Sequence, residues 1–117
     1  MPAFPFLDDL DGQLDWQRQL YEDLHRHPEL SLQEHRTAER IEAELTGLGV
    51  AVQRIGGTGV VGVLENGTGP TVLSRADIDA LPVTEDTGLE YSSTVDGVMH
   101  ACGHDMHIVA LLGALRL

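Results

Sequence analysis

Residues 50–82 read VAVQRIGGTGVVGVLENGTGPTVLSRADIDALP, and the reading of this stretch decides the fold. Gly57-Thr58-Gly59-Val60-Val61-Gly62 spells G-x-G-x-x-G, the fingerprint of a dinucleotide-binding turn. That turn works where a helix opens at its last glycines, so that backbone N–H groups face a pyrophosphate. Here Val60-Val61-Gly62-Val63-Leu64 continues as strand-forming sequence, so the glycines mark a turn between strands. VAVQRI, VVGVLE and TVLSRA are accordingly read as short β-branched strands separated by GGTG and NGTGP. Asn66-Gly67 is a hairpin signal and predicts that the second strand pairs with the third.

Upstream the pattern is helical. Trp16, Leu20 and Leu24 recur every four residues and predict a helix over 11–27, which Pro28 forces to end. Ser31-Leu32-Gln33-Glu34 reads as a capping box opening a second helix at Ser31. Ala38, Ile41, Leu45 and Leu48 form its buried stripe, and the Gly47/Gly49 region stops it. Downstream, residues 81–98 are polar and turn-rich, a loop with one short strand near Glu90-Tyr91-Ser92. Beyond Gly103 the spacing is helical again, with Ile108, Leu111, Leu112 and Leu115 on one side. A chain of 117 residues with these elements is expected to form one α/β unit around one core.

Charge excludes some functions. Seven basic residues, all of them Arg, face 19 acidic ones, for a net charge of −12. Such a surface repels phosphate backbones and anionic membranes alike. The single cysteine rules out an intramolecular disulfide and suits a reducing cytosol. The opening MPAFPFLDDLDGQLDW has neither a basic nor an apolar signal region, and IVALLGAL is far short of the ~20 residues of a membrane span. A soluble, cytoplasmic protein without nucleic-acid or membrane partners is the expectation.

Two short motifs are set aside. Asp86-Thr87-Gly88 resembles the catalytic triplet of aspartic proteases, but that chemistry needs two carboxylates sharing a proton and no second copy exists. His25-Arg26-His27-Pro28-Glu29 places two histidines on different faces of a helix, so a structural role at the helix C-terminus is expected.

Chemistry concentrates in VMHACGHDMHI, residues 98–108, which hold three of the six histidines and the only cysteine. A lone cysteine is usually a small buried hydrophobe, but the density of His, Cys and Asp favours a metal site. Cys102 and His104 face the same way in an extended or looped segment and diverge in a helix. Gly103 between them permits an unusual backbone, so the pair can share one ion if the helix starts after them. A thiolate with an imidazole suits a borderline metal such as zinc. Asp105 and His107, just inside the helix, are candidates for orienting a ligand. Asp77 and Asp79 of RADIDALP emerge where the strand TVLS ends, a common place for functional groups in α/β folds. They can orient a metal-bound histidine, line a cleft, or form a salt link with Arg75.

HRHPELSLQEHRTAERI, IGGTGVVGVLENGTGPTV, RADIDALPVTEDTGLEYSS and GVMHACGHDMHIVALLGA, in this order, closely resemble the start of a known family. It is the metal-dependent amidohydrolases of the aminoacylase/carboxypeptidase family, in the branch of hippurate hydrolase, N-acyl-amino-acid amidohydrolases and plant auxin-conjugate hydrolases. The resemblance implies part of a zinc-exopeptidase-like three-layer αβα fold, with two N-terminal helices, a β-hairpin and a C-terminal helix. It implies hydrolysis of an N-acyl amino acid or peptide amide by two divalent ions, whether zinc, manganese or cobalt. By motif match Cys102 and His104 would be ligands, and Asp77 the acid that steadies the site. Residues 1–117 would be the amino-terminal part of a split catalytic domain. The general base, a Glu-Glu pair, two later histidine ligands and a dimerisation domain would lie beyond them, and the piece alone would be inactive. Ser74 departs from the apolar residue the family would place before Arg75. The alternative is a short, non-catalytic protein that folds, self-associates as a homo-oligomer and binds metal weakly. Either way the apolar third helix should leave an exposed apolar patch.

Overall fold

The computed structural model describes residues 4–117 and confirms the α/β class. After a single 3₁₀ turn, Pro5–Leu7, come helices α1 (Leu10–Arg26) and α2 (His35–Gly47), strands β1 (Ala51–Ile55) and β2 (Gly59–Val63), and helix α3 (His104–Arg116). The expected periodicities set the buried faces. Leu20 and Leu24 of α1, Ile41 and Leu45 of α2, Val50, and Ile108, Val109 and Leu112 of α3 make one core, with Trp16 packed against it. α1 packs against α3, and α2 lies on the hairpin. The Trp16 indole N–H donates to Glu44 at 3.1 Å and ties α1 to α2.

The start of α2 differs from its sequence signal. The helix opens at His35, and Leu32 sits at φ +65°, outside the helical region. The cap is Glu29, whose carboxylate accepts from the N–H of Arg36 (3.0 Å), the N–H of Thr37 (2.6 Å) and the Thr37 hydroxyl (2.7 Å). These are the N–H groups that an N-cap side chain serves, and an ionised acceptor serves them better than a serine hydroxyl. Ser31 donates instead to Asp79 at 2.5 Å. The apolar stripe of α2 also ends early, because Leu48 is the C-cap and is exposed.

The hairpin differs too. β1 pairs antiparallel with β2, from Ala51 opposite Val63 to Ile55 opposite Gly59. The turn is made by Gly56 (φ +63°) and Gly57 (φ +90°), conformations glycine adopts without steric cost. The G-x-G-x-x-G string is thus turn and strand. Residues 71–76, expected as a third strand paired through Asn66-Gly67, form no strand, and Val72 and Leu73 are 85% and 86% exposed. A strand persists only where its N–H and C=O groups find a neighbour, and no described strand lies beside these residues. Val63, Leu64, Val72 and Leu73 are therefore exposed, while Ile108, Val109 and Leu112 of α3 are buried.

The loop after residue 80 has no strand near Glu90-Tyr91-Ser92, which lie in and beside a turn. It is pinned where Leu81 and Met99 exchange backbone hydrogen bonds of 2.9 and 3.0 Å. No helix among the described residues is long and apolar enough to cross a membrane.

Candidate metal centre

Gly103 takes φ +82° and stands as the N-cap of α3, so the chain turns sharply between Cys102 and His104. Cys102 lies before the turn, free and exposed. His104 is the first helical residue, one position earlier than the requirement that the helix start after it. Its Nδ1 lies 2.9 Å from Asp79 Oδ1 and 3.0 Å from the Asp79 carbonyl oxygen. Both are acceptors, so Nδ1 carries the hydrogen and Nε2 is left to face a ligand, as metal-binding histidines require. The second Asp79 oxygen accepts from Ser31. That hydrogen bond, joined by those from the Asp79 backbone and His104, holds the Asp79 carboxyl below the usual carboxylate range against a smaller effect of burial.

Of the acidic pair, Asp77 is engaged by the Arg75 guanidinium, and Asp79 touches His104. Asp79 is delivered by backbone pairing: the Ala80 N–H donates to the Glu29 carbonyl at 2.8 Å, and Leu30 and Ala80 form a parallel bridge.

Asp105 is buried in the first turn of α3. Its Oδ1 accepts from the Met106 N–H at 2.9 Å, and its Oδ2 lies 2.6 Å from His25 Nδ1. The other ring nitrogen of His25 faces Glu85, at 3.1 Å from Oε1 and 3.3 Å from Oε2. Burial pushes the Glu85 carboxyl up, but hydrogen bonds from Thr87, the Ser93 N–H and His25 outweigh it and leave it below its usual range. Tyr21 and Tyr91 flank the His25 ring, each with its centroid 5.5 Å away. His25 is therefore held by Asp105 and Glu85 rather than by the helix C-terminus, partners that sequence reasoning missed. Its one signal is the spacing Tyr21/His25, which continues the buried side of α1 beyond Leu20 and Leu24. His27 points elsewhere, donating to the Asp23 carbonyl at 2.7 Å.

His107 is exposed, its ring 5.8 Å from that of His104. His100, which the spacing argument passed over, is 4% exposed and neither ring nitrogen has a hydrogen-bond partner. Burial pushes its pKa down. Buried polar atoms without partners are rare and mark a place where a polar group or ion belongs. Among the described residues no three His, Cys, Asp or Glu side chains converge as a metal cage. A thiol and an oriented imidazole are donors of the right kind for a divalent ion, but two are fewer than the three protein ligands usual at catalytic zinc.

Residues 73–117 match the family described as Peptidase family M20/M25/M40. The chain is 48% identical over 106 residues to thermostable carboxypeptidase 1 of Saccharolobus solfataricus, covering 88% of this chain and 27% of that protein. It is 41% identical over 104 residues to IAA-amino acid hydrolase ILR1-like 5 of Arabidopsis thaliana, covering 88% of this chain and 24% of that one. The structure superposes on that of the YXEP protein of Bacillus subtilis, described as a dinuclear metal binding peptidase, with a TM-score of 0.85 and 39% identity over 90% of this chain and 30% of that chain. The chain thus spans under a third of the length of these relatives. Residues 73–117 carry the pattern of peptidase family M20/M25/M40, and over 90% of its length the chain shares the fold of a solved member of the M20 family.

Proposed function

We propose that residues 1–117 are the amino-terminal part of the catalytic domain of a divalent-metal amidohydrolase that splits the amide bond of an N-acyl amino acid or a peptide. The observation that carries this reading is the Ser31–Asp79–His104 relay, which engages one imidazole nitrogen and leaves the other available two residues from an exposed thiol. Cys102 and His104 would hold zinc, manganese or cobalt; loaded, a two-ion centre supplies polarisation of the scissile carbonyl and activation of water. The chain's own residues prepare for that. Asp79 fixes the His104 tautomer, Ser31 fixes Asp79, and Gly103 sets the angle between thiol and ring. Asp105 and His107 stand as supporting groups, and Asp77 acts through Arg75 at the rim. The general base and the remaining ligands come from outside residues 1–117. A cytoplasmic location, which keeps Cys102 reduced, and self-association through the exposed apolar residues Val63, Leu64, Val72 and Leu73 belong to the same proposal.

The test is a cobalt titration of the purified chain. The expected result is a thiolate-to-cobalt absorption band that Cys102→Ser abolishes, with no hydrolysis of N-acetyl amino acids. Absence of the band, or a band that survives Cys102→Ser, overturns the ligand assignment. The second reading, a non-catalytic metal-binding protein, is favoured by the lack of a third convergent ligand among the described residues. Protein isolated from its source separates the two, since only the first reading expects amidase activity there.

A further inference from the structure

His25 lies at the C-terminal end of α1, with 6% of its side chain exposed, between two carboxylates that are each 2% exposed. Both carboxylates are otherwise satisfied. Asp105 accepts from the Met106 N–H, and Glu85 accepts from the Ser93 N–H and the Thr87 hydroxyl. The ring thus lies between carboxylates that already act as acceptors elsewhere. Each ring nitrogen of His25 faces a carboxylate oxygen, and the cluster is shut away from water.

We propose that His25 is the positioning residue of the candidate metal centre: by donating to Asp105 and Glu85 at once, it fixes the first turn of α3 and with it the aim of His104. This rests on the reading of His104 as a ligand. Three arguments support it. Asp105 adjoins His104, so any rotation of that helical turn swings the His104 ring away from Asp79. The opposite side of His104 is held independently by Ser31 and Asp79, so the ring is gripped between two anchors. And a buried cluster of ionisable groups is a poor source of stability compared with apolar packing. It does supply defined geometry, with the ring further held between Tyr21 and Tyr91.

The experiment has a metal-free arm and a metal arm, both on the full chain. In ¹⁵N-resolved imidazole spectra of the unsubstituted protein, His25 is expected to show two protonated nitrogens, and a bare nitrogen overturns the proposal. In His25→Gln, the hydrogen-bonded Nδ1 proton of His104 should be lost or shifted; an unchanged signal overturns it. In the cobalt titration, His25→Gln should bind about 10- to 100-fold more weakly. Leu20→Ala, which loosens the same helix without touching the clamp, should bind as the unsubstituted protein does. Equal weakening in both variants reduces His25 to general packing and overturns the proposal. If His25→Gln does not fold, the spectrum of the unsubstituted protein decides alone. If that protein binds no cobalt, the ligand reading has failed while the imidazole spectra still judge the clamp.

Discussion

Replacing Glu29 by Ala tests which residue caps α2. The side chain serves three donors, the N–H groups of Arg36 and Thr37 and the Thr37 hydroxyl. Thr37 is fully buried, so water cannot replace what it loses. Loss of an N-cap costs about 0.5–2 kcal/mol, and leaving buried donors unpaired costs about 1–3 kcal/mol more. Glu29→Ala should therefore destabilise the chain by about 3 kcal/mol, a large share of a total of about 5–15 kcal/mol. Glu29→Gln keeps an acceptor oxygen and should cost about 1 kcal/mol. Ser31→Ala, at the residue the sequence pattern nominates as cap, removes one exposed hydrogen bond and should cost under about 1 kcal/mol. Urea unfolding followed by far-ultraviolet circular dichroism measures all three. The pH dependence follows from the Glu29 carboxyl. Burial raises its pKa, but hydrogen bonds from Thr37 and Arg36 outweigh this and hold it below the usual value. A carboxyl depressed in the folded state contributes stability that is fully present above its unfolded pKa, about 4.3. That contribution disappears as pH falls through the lower folded value. The gap between Glu29→Ala and the unsubstituted protein should accordingly be full at neutral pH and shrink in acid below about pH 4. If Ser31→Ala costs as much as Glu29→Ala, or the gap ignores pH, the capping argument is wrong.

Asp79→Asn removes the charge that fixes His104 and should weaken cobalt binding about tenfold, whereas Asp77→Asn, whose partner is Arg75, should change it less than about twofold; the reverse order would restore Asp77 as the supporting acid. Gly59→Ala places a methyl 2.6 Å from the Ile55 carbonyl oxygen, a backbone atom that cannot turn aside. It should cost about 1–3 kcal/mol and speed amide exchange across β1 and β2, and unchanged protection would show that the turn has room.

The three helices were legible because each repeats apolar residues at helical spacing, and a helix meets its own hydrogen bonds. The strands were legible only in part. VVGVLE found a partner in VAVQRI through Gly56-Gly57, whereas TVLSRA has equal β propensity and no neighbour to express it. Asn66-Gly67 is a good turn signal, but pairing is a property of two strands and no dipeptide settles it. The capping box failed for a related reason: Glu29 lies before the pattern and won by charge. At the site, the spacing of Cys102 and His104 is local and could be read directly, but α3 opens at His104 rather than after it. Alternation places Asp77 and Asp79 on one face and does not rank them; the motif match named Asp77, whereas in the structure Asp79 touches His104 and Asp77 meets Arg75. His25 and Asp105 lie 80 residues apart, and no periodicity relates them.

What joins these particulars is the segment 25–31, the stretch that looked least like a site. His25 grips Asp105 and Glu85, and the Arg26 carbonyl accepts from both the N–H and the hydroxyl of Thr94 at 2.9 and 2.7 Å. The Glu29 carbonyl receives Ala80 while its carboxylate caps α2, and Ser31 holds Asp79. Each contact reaches a different part of the chain, and two of them end beside His104. A ligand at the first turn of a helix would be loose if only that helix held it, because terminal turns fray. Holding Asp105 from one side and Asp79 from the other removes that freedom before any ion arrives, which is the condition for a site to bind without reorganising. In the proposed centre, the acids and histidines of HRHPELS serve as its frame rather than as ligands.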